Sequence, residues 1–336
     1  MGPQFAHMET YSVKPNKAGN SIKQVLGEAV RDPIFSIHID DPQPPRIVHG
    51  VDIAQLKILH DEMVNNAATS VKRKGKVVHR AIRKDRNTLM TVVSSYPVSV
   101  ADLNNDETGE ARRLYDGWIE RNVSYLTEQH GSKLKTVIEH TDEIYPHIHA
   151  YILPDDDPKV FADDLHPGKL AKADAAFFAK LDSINGKAVT KIANSAYRSA
   201  MRDWQDEFYT EVGAPSGLTR DGPKRARKTR AEWHAEKTAA RATAEVLEAA
   251  EAASQSLQAW SAALDLRKME LDDRQYDLED SEKDLETLFK SLQSIKNTVE
   301  KLIGRVASYL GVGTELQQIV DVIENAKIPD DPDLGM

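Results

Sequence analysis

Cysteine is absent from the 336 residues. Disulfide staples and thiolate metal sites are thereby excluded, and imidazole, carboxylate and water remain as the available metal ligands. A thiol-free, staple-free composition suits a reducing compartment and predicts a cytoplasmic protein. No apolar run approaches the length of a membrane span, and the N-terminus lacks a secretory apolar segment. Proline is missing between Pro223 and Pro329, so nothing in that stretch interrupts a helix. Positive charge is also scarce on average: 44 Lys and Arg against 53 Asp and Glu leave a net charge of -9. That average argues against a nucleic-acid partner, but the charges are segregated along the chain.

Two blocks hold the segregated positive charge. The first carries Lys72, Arg73, Lys74, Lys76, Arg80, Arg83, Lys84 and Arg86 against Asp85 alone. The second carries Arg220, Lys224, Arg225, Arg227, Lys228 and Arg230 against Asp221. A basic run is commonly a solvated loop. Two such runs in an acidic chain, one on each side of a histidine cluster, form the pattern of a local nucleic-acid groove.

The cluster is His140-Thr-Asp142-Glu143-Ile-Tyr-Pro146-His147-Ile-His149. Short runs rich in β-branched and aromatic residues precede it at 134–138 and follow it at 150–153, and they predict two neighbouring strands. Alternation puts His147 and His149 on one face, with Ile148 on the other. If 141–146 is the loop of a hairpin, His140 lies across from that pair. Three neutral nitrogen ligands with an open remaining position suit a catalytic divalent cation better than a closed structural site. A carboxylate at 142 or 143 could orient a ligand or accept a proton. The bland alternative is a solvated strand edge with a chance run of histidines.

Elsewhere the periodicities are helical. Short helices are predicted at 21–29 and 54–64, separated by a proline-rich connector at 40–46. Residues 88–93 form a strand candidate directly after the first basic block. A helix over 110–130 ends at Gly131 and covers one face of the sheet. Further helices are expected near 171–181 and over 189–212, the latter with Ala193, Tyr197, Met201, Trp204, Phe208 and Val212 on one face. From about residue 231 the chain reads as one long helix. Leu257, Leu264, Leu271, Leu278, Leu285, Leu292, Val299 and Val306 recur every seven residues, and Trp260, Arg267, Arg274, Ser281, Leu288, Ile295, Leu302 and Tyr309 follow each by three. This alternation is a coiled-coil signature on the order of 80 Å long, weakened where the second position is polar. The predicted division is residues 1–8 as leader or disordered, 9–230 as the sheet-containing domain, 231–310 as coiled coil, and 311–336 as a short helix and frayed tail.

These residues resemble a known family. The His140-x-Asp142-Glu143-x-x-Pro146-His147-x-His149 stretch is similar to the third motif of the MobV-type plasmid mobilisation relaxases, or plasmid recombination (Pre/Mob) enzymes, of the HUH endonuclease class. Arg80-Ala-Ile-Arg83-Lys84-Asp85 before a strand resembles the family's basic motif. Trp204-Gln-Asp-Glu-Phe208 through Val212-Gly-Ala-Pro-Ser-Gly-Leu218 resembles the segment that closes its nuclease domain, after which a long coiled coil is usual. The resemblance covers about residues 75–235. It implies an α+β fold, an antiparallel sheet covered by helices. It implies that His140, His147 and His149 hold manganese or magnesium, with Glu143 as the acidic partner. It also implies single-stranded or hairpin DNA as substrate, and the basic blocks make Arg80, Arg83, Lys84, Lys224, Arg225, Arg227, Lys228 and Arg230 the residues expected to hold it.

The chain departs from the family at its first motif. Members carry a histidine, or in related families a tyrosine, near the N-terminus as nucleophile, in a His-Asn-x-Arg-like stretch. Between Met8 and Phe35 this chain has no histidine and only Tyr11. Tyr197, on the helix after the histidine strands, is the leading candidate phenol, although its stripe with Met201, Trp204 and Phe208 reads first as core. Tyr11, His38 and His49 are further candidates. The expected function is a metal-dependent DNA strand transferase that nicks and rejoins a strand at a plasmid or mobile-element origin. The alternative is a relaxase-like DNA-binding scaffold, altered in its chemistry, that dimerises through its coil.

Overall fold

Three apolar strands fix the centre of the molecule in the computed structural model, which describes residues 2–73, 76–182, 184–310 and 313–325. The chain runs β1 (Phe5–Ser12), α1 (Ile22–Ala29), β2 (Arg46–Gly50), α2 (Ile53–Asn66), β3 (Ala68–Arg73), β4 (Lys76–Ala81), β5 (Asn87–Ser95), α3 (Val100–Asn104) and α4 (Glu110–His130). It continues through β6 (Leu134–His140), β7 (His147–Ile152), α5 (Pro167–Leu181), α6 (Gly186–Phe208), α7 (Pro223–Ala226), α8 (Arg230–Leu310) and α9 (Gly313–Asn325). β5, β6 and β7 are buried on both faces, which is why they read as nearly unbroken apolar runs. They form the middle of a five-stranded sheet of order β1-β5-β7-β6-β2, every neighbour antiparallel. The fold is α+β, an antiparallel sheet with helices on its faces, as the sequence reading expects.

Each face has its own core. On one face Met90, Val92, Ile148, Ala150 and Ile152 pack with Tyr115, Trp118 and Tyr125 of α4 and with Trp204 and Phe208 of α6. On the other, Leu89, Ile138, Tyr151 and Leu153 pack with Ile22 and Leu26 of α1 and Leu56 of α2. His147, His149 and Tyr151 alternate onto this second face.

Several expectations are corrected here. Residues 5–8, expected as leader or disordered, are part of Phe5–Ser12, an edge strand paired with β5 from Phe5↔Ser95 to Ser12↔Asn87. Its alternate residues Ala6, Met8, Thr10 and Ser12 are buried, which is what holds it in place. The connector at 40–46 ends at Arg46, where β2 begins and pairs with β6. The first basic block is not a plain loop, since β3 and β4 form a separate two-stranded hairpin. The helix expected near 171–181 starts at Pro167, the favoured first-turn position for proline. The chain divides into compact units at Met1–Glu251 and Ala252–Met336, so the first turns of α8 belong with the sheet domain rather than with the coil. Arg241–Glu110 and Arg113–Glu248 ion pairs tie those turns to α4. The tail expected at 330–336 lies outside the described residues, as does Lys74. Among the described residues no helix is long and apolar enough to cross a membrane.

Candidate functional site

The hairpin of β6 and β7 sets three imidazoles side by side. His140 ends β6 and pairs with His147, the first residue of β7; His149 follows on the same face, opposite Ile138. The ring centroids are 5.4 Å apart for His140 and His147, 5.2 Å for His140 and His149, and 5.0 Å for His147 and His149. A nitrogen bound about 2.1 Å from a cation puts its ring centroid about 3.2 Å away, so three ligands at tetrahedral to octahedral angles have centroids about 4.5–5.3 Å apart. Among the described residues no three His, Cys, Asp or Glu side chains close into a finished metal cage. The ring spacing is nevertheless close to that range.

The electrostatics fit neutral ligands. Burial, then Arg31 and His147, push the His140 pKa down to about 3. Burial holds the His149 pKa well below its ordinary value, with His147 and His140 adding to the effect. Both ring nitrogens of His140 are buried without a hydrogen-bond partner. Such orphaned polar atoms are rare in a folded interior, and a cation would satisfy the nitrogen that carries the lone pair. His147 Nδ1 lies 3.2 Å from the Tyr145 carbonyl oxygen. A carbonyl only accepts, so Nδ1 donates this bond, which leaves Nε2 as the nitrogen turned toward Glu143.

A pH dependence follows from the His140 shift. Its folded pKa lies below the unfolded value of about 6.5, so its neutral form supports the fold fully above that pH. The support is lost as pH falls toward 3, on the order of 3 kcal/mol by pH 4. Melting of the metal-free protein should therefore drop between pH 7 and pH 4, and His140→Gln should flatten the decline. An equally steep decline in that variant would show that other groups cause it.

The loop carboxylates are held by a residue the sequence reading missed. Arg31, 5% exposed, donates from Nε to Asp142 Oδ2 (2.8 Å) and from Nη2 to Asp142 Oδ1 (2.6 Å) and Glu143 Oε1 (3.1 Å). The Gln43 backbone N–H adds a bond of 3.1 Å to Asp142. Burial raises the Asp142 pKa, but the Arg31 bonds and this N–H outweigh it and hold the carboxyl below its ordinary value. Arg31 has φ of +59°, a left-handed conformation that disfavours a side chain. The only hint in the sequence was an arginine directly before Asp32-Pro33, at the end of a helix. Asp142 is thereby committed to the ion pair. Glu143 is half-exposed, with Oε1 3.5 Å from His147 Nε2. Beside it opens a cleft of about 830 Å³ lined by His147, Asp142, Glu143, Tyr145 and His38.

Other predicted site residues fall elsewhere. Tyr197 lies on α6 with its ring 5.8 Å from that of His166, and it closes over Gly168 with Met201. Its charged neighbours are Glu9 and Lys169, and its described ring contact is not to the three imidazoles. The basic blocks sit at different ends of the sheet. Arg83 and Lys84 precede the start of β5, whereas Val93 and Ser95 near its end pair with His149 and His147. That separation is about 20 Å along the strand. Arg80 and Lys84 are exposed, and Arg83 is exposed but paired with Asp85 at 2.5 Å.

The second block begins at the imidazole end. Thr219 bonds to Gly2 and Gln4, next to Phe5 at the start of β1, and Gly2, Pro3 and Phe5 line the cleft. Lys224, Arg227 and Arg230 are exposed. Lys228 is paired with Glu236, and Arg220 with Asp206, so part of this positive charge is neutralised within the fold. The Arg225 side chain lies outside the described residues.

No family model and no curated protein matches the sequence. Solved structures do. One is the MobM relaxase domain (MOBV; Mob_Pre) bound to a 26-nucleotide pMV158 oriT DNA, at 17% identity, 55% of this chain, 88% of that one and a TM-score of 0.30. Another is the manganese-bound crystal structure of that domain with a 23-nucleotide oriT DNA at pH 6.5, at 19% identity, 54% of this chain, 86% of that one and a TM-score of 0.33. At this level the chain is similar to a MobV-type relaxase domain.

Proposed function

We propose that the chain is a divalent-metal-dependent DNA strand transferase, nicking and rejoining single-stranded DNA at a plasmid or mobile-element origin. The observation that carries this reading is the triangle of three imidazoles beside an open cleft with a carboxylate at its rim. His140, His147 and His149 would hold manganese or magnesium, which supplies charge stabilisation on a phosphodiester oxygen. Glu143, within reach of His147, would orient that ligand or take a proton from the attacking group. Attack by a Tyr or His side chain breaks the bond from phosphorus to the 3′-oxygen. It leaves a 5′-phosphoryl enzyme and a free 3′-hydroxyl, and reversal reseals the strand. The attacking side chain is proposed among His38 and Tyr145, which line the cleft, and Tyr197 on α6, which would have to reach the site from beside His166. Arg80, Arg83, Lys84, Lys224, Arg225, Arg227, Lys228 and Arg230 would contact phosphates.

The test is a nicking reaction on supercoiled and single-stranded DNA with manganese, quenched in detergent, with any adduct mapped by peptide mass spectrometry. A covalent adduct is expected and would name the nucleophile. Retention of metal and DNA without nick or adduct would favour a non-cleaving scaffold, the reading supported by the missing histidine between Met8 and Phe35.

The coil is proposed to pair with a second copy. Its heptad stripe is exposed along its length, including Leu257 at 71%, Leu264 at 62%, Leu278 at 65% and Leu288 at 60%. Such a stripe is normally covered by a partner helix. Light scattering should give a dimer for the full chain and a monomer for Leu271→Asp/Leu278→Asp. A monomeric parent chain would overturn the pairing.

A further inference from the structure

The cleft beside the imidazoles holds a side chain that metal chemistry does not use. Phe5 opens β1 and pairs with Ser95, Ser95 pairs with His147, and His147 pairs with His140. Paired residues of a sheet share a face, so these four form one row on the imidazole side. Two strand spacings, about 10 Å, separate Phe5 from His147. Phe5 is 55% exposed and belongs to neither core, whereas Ala6 and Met8 after it are buried.

A single exposed phenylalanine at the end of an edge strand is common. Here it shares one cleft with Tyr145, Pro97 and Ile144, the last 75% exposed. The walls are pinned in place. The Ile144 and Pro146 carbonyls accept from the Val100 and Tyr96 N–H groups at 3.0 and 2.9 Å, and Gly2 and Gln4, ahead of Phe5, bond to Thr219. Among the described residues no lysine or arginine lines the cleft, whose acids are Asp40, Asp142 and Glu143. Apolar walls with acidic side chains repel a phosphate chain and suit the flat face of a base.

We propose that this cleft is a nucleobase subsite, in which the base next to the reacting phosphate lies against the ring of Phe5. The proposal rests on the strand-transfer reading and deepens it: the imidazole end takes the phosphate, and Phe5 fixes the nucleotide beside it. Continuity selects this occupant. His147 and Glu143 are part of the cleft wall, so a strand whose phosphate reaches them has its neighbouring nucleotide here. A second copy of the chain seated in the cleft would cover both residues and close the site to DNA.

The test uses the full chain with manganese on a pool of random-sequence single strands, and the nicked ends are sequenced. The favoured strand is then remade with one abasic residue at each position beside the nick in turn. Phe5→Ala should slow nicking of the favoured strand at least about fivefold. Phe5→Trp should restore it to within about twofold of the parent. One abasic position should slow the parent by a similar factor, and on that strand the parent and Phe5→Ala should nick alike. Melting temperature and calorimetric manganese affinity should be the same in all three proteins, which separates stacking from a change in the fold or the metal site. A loss in Phe5→Ala that persists in full on every abasic strand overturns the subsite. If the parent nicks and Phe5→Ala nicks like it, the subsite is wrong and the strand-transfer reading stands. If the parent nicks no strand, both fall. If Phe5→Ala changes the oligomeric state but not nicking, the cleft belongs to a second copy and the proposal is overturned.

Discussion

Replacement of His147 by alanine is expected to reduce manganese-dependent nicking by about 10³-fold or more. The magnitude follows from what a bound cation contributes, several kcal/mol of charge stabilisation at the reacting phosphate, all of which is lost if the site cannot hold it. His147 is the informative choice among the three imidazoles, because it lines the cleft while His140 is 1% exposed. The smaller rearrangement should leave the fold intact. DNA affinity in EDTA should be unchanged, since the cations proposed to contact phosphate lie on other elements. Titration calorimetry with manganese should show weakened binding in parallel with the loss of nicking. Nicking within about tenfold of the parent, at saturating metal, would remove the three-imidazole site from the mechanism.

Replacement of Arg31 by alanine is expected to destabilise the sheet domain by about 3–5 kcal/mol, the usual consequence of stranding one partner of a buried ion pair. The stranded group is Asp142, whose side chain is 1% exposed, and Glu143 loses a partner at the same time. For a domain of this size the loss corresponds to a melting temperature lower by roughly 10 °C. The left-handed backbone at Arg31 supplies an internal control. Arg31→Gly removes the same ion pair but suits that conformation, so it should be about 1 kcal/mol more stable than Arg31→Ala. Equal melting temperatures for the parent and both variants would show that the pair does not hold the loop. Arg31 is thus a positioning residue, and its loss should also lower activity by releasing Glu143 from its place beside His147.

The features legible in the sequence are those whose physical signal is local. The strands around His140, His147 and His149 could be read because their β-branched residues and alternation lie within a few residues of each other. The α4 helix over 110–130 and the heptads of α8 were readable for the same reason, since a period of 3.6 or 3.5 needs no knowledge of the partner. β1 was missed because its first residues look like a leader, and its strand character comes from pairing with β5, whose partner residues lie 75 to 90 positions away in the chain. Periodicity also left Tyr197 open between core and chemistry; tertiary structure put it against His166 and Gly168.

What the sequence by itself determined is therefore the composition of the site: three imidazoles at hairpin spacing, an acidic pair between them, no thiolate, and a long apolar heptad stripe. What only the tertiary structure decided is how that set is held and what faces it. Arg31 reaches Asp142 across 111 positions, and no local pattern announces such a contact. The two basic blocks, equivalent in the sequence, leave the sheet at opposite ends, because one joins β5 at its start while the other is pinned to the first residues of β1. The burial that keeps His140 and His149 neutral is likewise a property of the packed sheet, since desolvation exists only once helices and strands have closed around the rings.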